Sequence, residues 1–137
     1  METTYSLIRY QGGKLPNQYK GLVYSKWMRS LRHGNDYFKL VDSDSYYKAY
    51  GRYIDTLLKQ SEVWLAVLTD DLDTVLGFSV CHGATVHYVH VHRDSRRIGI
   101  ARLLLPPDVS TITHLTKMGL LLWPKLAPNA KFDPFQE

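Results

Sequence analysis

The sequence predicts an α+β fold: a mixed, mostly antiparallel sheet flanked by helices. Two observations carry the prediction. Residues 16–60 hold two runs of apolar side chains at helical spacing, and residues 62–92 hold three strand-like runs separated by turn-sized gaps. Gaps that short join antiparallel neighbours, because a parallel crossover needs a dozen residues or more.

The elements follow in order. "YSLIRY" (5–10) is short, Tyr-rich and strand-like, and the turn chemistry of "QGGKLP" ends it. From Pro16 or Asn17 to about Leu31, Val23, Trp27 and Leu31 recur at helical spacing, and Gly34-Asn35 stops the run. Asp42 and Ser43 are N-cap residues for a second helix, "SYYKAYGRYIDTLLKQ", with Tyr46, Tyr50, Tyr53, Leu57 and Leu58 on its apolar face. "EVWLAVLTD" is nearly all apolar, as a strand buried on both faces would be. "DDLDT" reads as a turn, "VLGFSVCHG" as its hairpin partner, and "TVHYVHVH" as a fourth strand alternating with period two. Strict alternation puts His87, Val89 and Val91 on one face and Tyr88, His90 and His92 on the other. A helix starting near Ile98 has only about two turns, because Pro106-Pro107 ends it. Beyond it, "STITHLT" has strand character and "KMGLLLWPKL" is a short helical run broken at Pro124. The tail "APNAKFDPFQE" reads as an extended arm anchored by Phe132 and Phe135.

Composition narrows the function classes. The chain has 137 residues, 45% hydrophobic and 22% charged, which is globular rather than disordered. A single cysteine, Cys81, excludes an internal disulfide framework and suits a reducing compartment. "METTYSLIRY" lacks a charged n-region followed by an apolar h-region, so no secretory signal is expected. No apolar run is long enough to cross a bilayer, and the cytoplasm is the expected location. The net charge of +4 comes from scattered basic residues, which argues for a soluble surface over a nucleic-acid interface.

The stretch "VHYVHVHRDSRRIGIARLLL" (86–105) carries the chemistry. A strand ends at His92, a basic turn follows, and a helix opens around Ile98. The unpaired N–H groups of a first helical turn hold an anion. Gly99 lets a phosphate approach the backbone, Ala101 keeps the next turn low, and Arg96, Arg97 and Arg102 add positive charge.

The order of elements and the string R-x-x-G-x-A, Arg96 to Ala101, closely resemble the GCN5-related N-acetyltransferase (GNAT) family. The resemblance covers residues 4–105 and is sharpest over 86–105. "SKWMRSLR" and "YVHVHRDSRRIGIA" also resemble small GNAT-like proteins of bacteriophage and prophage genomes. It implies one GNAT-like domain over 1–137: a strand and helix pair (1–60), an acetyl-CoA-binding core (61–105) and a reduced C-terminal part with tail (106–137). It also implies acetyl-CoA as co-substrate, with Val89, His90 and Val91 pairing with the pantetheine amides. Arg96, Arg97, Ile98, Gly99, Ile100, Ala101 and Arg102 would surround the pyrophosphate.

Acetyl transfer to an amine needs a base for the amine proton and an acid for the departing thiolate. By the resemblance, His87 sits where some aralkylamine-type members carry a base histidine, and an imidazole suits the task. The late tyrosine acid of many members has no counterpart, because Tyr88 is the last tyrosine. His114 could replace it but reads more readily as a surface polar residue. The carboxylate base of several members is also missing, Thr85 lying at one such position.

Rival readings of the same residues are weaker. His90 and His92 could share a metal, but no cysteine pair or HExxH helix completes a site, so no metal is expected. Cys81 reads as a core residue, and so does the tyrosine face of the second helix, the rival being an acceptor groove. Two function classes stay open. One is an acyl-CoA-dependent N-acyltransferase with His87, or a water it holds, as base. The other is an inactive GNAT-like phage protein, an interaction or virion-assembly component with a phage or host protein partner. The amine acceptor, small molecule or protein, is open, as is a homodimer; neither nucleic acid nor membrane is expected as a partner.

Overall fold

A computed structural model describes residues 5–92, 99–114, 123 and 125–134. Six strands form one sheet in sequential order: β1 Tyr5–Gln11, β2 Glu62–Leu68, β3 Asp71–His82, β4 Thr85–Val91, β5 Thr111–Ile112 and β6 Lys131–Phe132. The first four pair antiparallel; β5 and β6 add in parallel. Four helices complete the described fold: α1 Asn17–His33, α2 Asp36–Lys39, α3 Ser43–Gln60 and α4 Ile100–Leu103. Among the described residues no helix is long and apolar enough to cross a membrane. The mixed, mostly antiparallel sheet flanked by helices is the fold class the sequence predicts.

Local chemistry places the helices. In α1, Tyr19, Val23, Trp27 and Leu31 lie four apart and are all buried. The chain leaves α1 at Gly34, whose N–H bonds the Ser30 carbonyl at 2.8 Å, with Arg32 and His33 at the negative end of the helix dipole. Asn35 does more than stop the run. Its side chain accepts from the Tyr37 N–H at 3.0 Å and opens the one-turn helix α2, an element the sequence did not reveal. Asp42 caps α3 by accepting from the Ser45 N–H at 3.1 Å. The Tyr46 hydroxyl donates to the Met28 carbonyl at 2.7 Å and ties α3 to α1.

The sheet is buried on both faces around β2. Val63, Leu65 and Val67 join the main core under α1 and α3, together with Phe78, Val80 and Tyr88. Trp64 and Ala66 point the other way, into a second core with Val91, Ile100 and Leu104. A nearly continuous apolar run is what such a strand requires. A third, small cluster of Ile112, Ala127 and Ala130 closes the C-terminal edge, where the Trp123 Nε1–H donates to the Ala130 carbonyl at 2.9 Å.

Gly77 sets how closely β3 and β4 approach. A Cβ there would lie 2.7 Å from the His90 carbonyl oxygen and 3.2 Å from the Val91 Cα, both backbone atoms that cannot swing aside. Gly77→Ala is therefore expected to destabilise the protein by about 1–3 kcal/mol through overpacking. Urea unfolding checks this, and an unchanged midpoint would show that the two strands can part without cost.

Candidate active site

The site is built where β4 and β5 part. The parallel ladder joins Thr85 to Thr111 and Val86 to Ile112, and the Thr113 N–H then bonds the Val86 carbonyl at 3.1 Å. β5 ends there, while β4 runs on to Val91. His87 and Thr113 therefore sit side by side at the fork.

A bulge interrupts β4 at His87. Val80 pairs with Tyr88 but Cys81 pairs with Val86, so His87 is an extra residue without an opposite partner in β3. The strict alternation expected for this strand breaks at this point, and Val86 falls in the row of Val89 and Val91. Val89 and Val91 pack on the α4 side, and Tyr88 stacks on Trp27 of α1 with ring centroids 5.4 Å apart.

His87 is only 1% exposed. Its Nδ1 lies 3.0 Å from the Thr113 hydroxyl, and the same hydroxyl lies 2.8 Å from Nδ1 of His114. His114 is not the surface residue the sequence suggested. It lines a cleft of about 370 Å³ with Leu31, Phe38, Tyr50, Tyr53 and Phe132, and its ring packs on Trp27, Tyr50 and Tyr53. Burial pulls both imidazoles down to about 4, with a smaller push from His82 on His87 and from His87 on His114. Both rings are neutral at neutral pH.

The tyrosine face of α3 divides between the two roles weighed for it. Tyr46 is core, whereas Tyr50 and Tyr53 are half-buried and line the cleft. Burial, then the neighbouring Tyr53 and Tyr37, raises the Tyr50 hydroxyl above its ordinary range, so it stays protonated as a donor. Cys81 is buried beneath the sheet and its thiol is pushed up to about 11, mainly by burial, which leaves it unreactive at neutral pH.

Of the proposed cofactor residues, Val89, His90 and Val91 lie along β4 beyond the fork, with His90 Nδ1 3.5 Å from the Ser30 hydroxyl. Gly99 adopts φ +78°, the left-handed region that favours glycine, and turns the chain into α4. Among the described residues, a Cβ there would meet nothing within 4 Å. Ile100 and Leu104 anchor α4 in the second core, while Ala101 is half-buried and Arg102 exposed. Arg96, Arg97 and Ile98 lie outside the described residues. Among the described residues no three His, Cys, Asp or Glu side chains converge on a point where a metal could bind.

The sequence did not single out Thr113, and it offered His114 only as a substitute acid that read more readily as a surface residue. The one signal was a histidine at the end of a strand-like run, and its meaning depends on where β5 pairs.

No family model and no curated protein matches the chain. Among solved structures it is similar to apo-form YjaB from Escherichia coli, at 20% identity and TM-score 0.50 over 74% of this chain and 61% of that one. It is also similar to an acetyltransferase of the GNAT family from Staphylococcus aureus Mu50, at 16% identity and TM-score 0.46 over 74% of this chain and 61% of that one. A ribosomal-protein-alanine N-acetyltransferase from Brucella melitensis biovar Abortus 2308 matches at 18% identity and TM-score 0.43, over 74% and 66%. The chain spans about three fifths of the length of the first two. At 20% identity, the likeness to the Escherichia coli protein is one of fold.

Proposed function

We propose that this protein is an acyl-CoA-dependent N-acyltransferase that moves an acetyl group from acetyl-CoA to an amine bound in the aromatic cleft. The observation that carries the reading is the junction of β4 with α4. The string Arg96 to Ala101 follows a strand that outruns its parallel neighbour, and its glycine takes the left-handed conformation at the helix entrance. In this reading Val89, His90 and Val91 offer backbone to the pantetheine amides, and Arg96, Arg97, Ile98, Gly99, Ile100, Ala101 and Arg102 surround the pyrophosphate.

The chemistry is a direct displacement. The neutral amine attacks the thioester carbonyl, an N–C bond forms, and the resulting ammonium loses its proton to the histidines of the fork. Collapse breaks the C–S bond, and the thiolate takes a proton to leave as free CoA. His87, proposed as base, reaches the cleft through Thr113 and His114.

The burial of His87 favours a second reading, in which the same fold serves as a catalytically inactive interaction or virion-assembly component. Calorimetric titration with acetyl-CoA separates the two. Micromolar binding is expected for the natural protein, weakened at least about tenfold in an Arg96→Ala, Gly99→Asp double variant. Aspartate tolerates the left-handed region better than most residues, and a melting curve confirms that the variant is folded. No heat at millimolar acetyl-CoA would remove the transferase reading.

A further inference from the structure

We infer that the cleft takes an arylamine, an amine borne on an aromatic ring and uncharged in neutral water, in preference to an alkylammonium of the same size. Its role as acetyl acceptor rests on the acyl-transfer reading. Its binding does not.

The lining decides the class. Phe38, Tyr50, Tyr53 and Phe132 supply four rings around a space of about 370 Å³, and Thr113 and His114 supply polar groups. Among the described residues no Asp, Glu, Lys or Arg lines it. Lys131 and Asp133, on either side of Phe132, lie outside the lining. A cation that leaves water for such a space needs a counter-charge, and without one its burial is costly. The Tyr50, Tyr53 and Thr113 hydroxyls and the His114 imidazole offer neutral hydrogen bonds instead, which match the N–H groups of an uncharged amine. The His114 ring meets the same surroundings, among Trp27, Tyr50 and Tyr53, and burial is the main cause that holds it down to about 4.

Ring faces turned on a cation could replace a carboxylate. These rings are engaged with one another. Tyr50 stacks on Tyr46 with planes 25° apart, and it meets Phe38 and Tyr53 at 74° and 87°. Packing of this kind extends naturally to one more flat ring. The volume lies at the small end of the roughly 300–1,000 Å³ of ligand pockets, which suits a single ring system.

The same class fits the chemistry at the fork. An alkylammonium must lose a proton before it can attack, and no carboxylate among the described lining residues takes it. An arylamine is a weak base, because its lone pair is delocalised into the ring, and it arrives at neutral pH already deprotonated. Its nitrogen attacks the thioester carbon, the N–C bond forms and the C–S bond breaks. The N–H proton passes to the fork histidines and from them to the departing thiolate.

4-Methylaniline and benzylamine are isomers of similar shape, the first uncharged at pH 7 and the second an ammonium. Each is titrated into the ¹⁵N-labelled whole protein, alone and with millimolar CoA, and amide shifts of Phe132 and His114 report on the cleft. 4-Methylaniline is expected to bind at least about tenfold more tightly than benzylamine. Phe132→Glu, at a position 46% exposed, sets a carboxylate at the cleft and should narrow that ratio to below about threefold by raising benzylamine affinity. Equal or tighter binding of benzylamine to the natural protein would overturn the inference, as would no binding of 4-methylaniline in either state. An unchanged ratio in a folded Phe132→Glu variant would overturn it too. Should that variant fail to fold, the ratio in the natural protein still decides. Preference for 4-methylaniline without acetyl-CoA binding would remove the transferase reading and leave the cleft's preference. Acetyl-CoA binding with faster acetylation of benzylamine would remove this inference alone.

Discussion

Replacing Trp27 by alanine is expected to lower the unfolding free energy by about 3–5 kcal/mol, the range for truncating a fully buried tryptophan. The side chain is completely buried at the centre of α1 and stacks on Tyr88 of β4, with ring planes 14° apart. It also meets the edge of His114 at 5.9 Å, so one ring supports the sheet and the cleft together. Its Nε1 is buried and has no hydrogen-bond partner among the described residues, a desolvation cost of about 1–3 kcal/mol that the natural protein carries. Trp27→Phe removes that burden while keeping most of the stack, and is expected to cost much less than Trp27→Ala. A domain of this size has about 5–15 kcal/mol in total, so the alanine variant should unfold at markedly lower urea. A loss under about 1 kcal/mol would show that α1 is held to the sheet by other contacts.

The parts of this protein that were legible in the sequence are those whose partners lie close along the chain. Val23, Trp27 and Leu31 announced α1 because a helix face is a local pattern, and Asp42 announced α3 because a cap is a local bond. The apolar run of β2 disclosed a strand covered on both sides, whereas the left-handed conformation of Gly99 was not foreseen, the glycine having been read only as room for a phosphate. The bulge at His87 was not legible. "VHYVHVH" alternates without a glycine or a charge to mark a slip, and only pairing with Val80 and Cys81 breaks the register. His114 was misread for the same reason. Its burial comes from Trp27, Tyr50 and Tyr53, all more than sixty residues away in sequence, and from a strand too short to show a period. Asn35 could be read as a stop, but the same side chain also starts α2, and cap chemistry alone does not distinguish the two. Phe132, expected to anchor the tail, lines the cleft while 46% exposed.

Acid should cost this protein more stability than it costs a variant lacking one of the fork histidines. His87 and His114 ionise near 4 in the folded chain against 6.5 for an ordinary histidine, with burial the main cause for each. Above pH 6.5 both rings are neutral whether the chain is folded or not, and they place no penalty on folding. As pH falls from 6.5 towards 4, the unfolded chain takes up protons that the folded chain refuses, so stability declines across that window and levels off below it. Near pH 5 each ring contributes a slope of about 1 kcal/mol per pH unit. Urea unfolding at pH 7, 6 and 5 should therefore show natural protein and His87→Gln converging as the pH drops, with the natural protein more stable at pH 7 and losing ground faster. Parallel losses in the two proteins would mean that His87 is already charged in the folded state, and the neutral relay through Thr113 would fall with it. Burial that keeps the His114 ring neutral beside the cleft also makes an imidazolium there unfavourable. In the proposed transferase, a proton taken from the amine would then be held only briefly, which suits a group that must return it to the leaving thiolate.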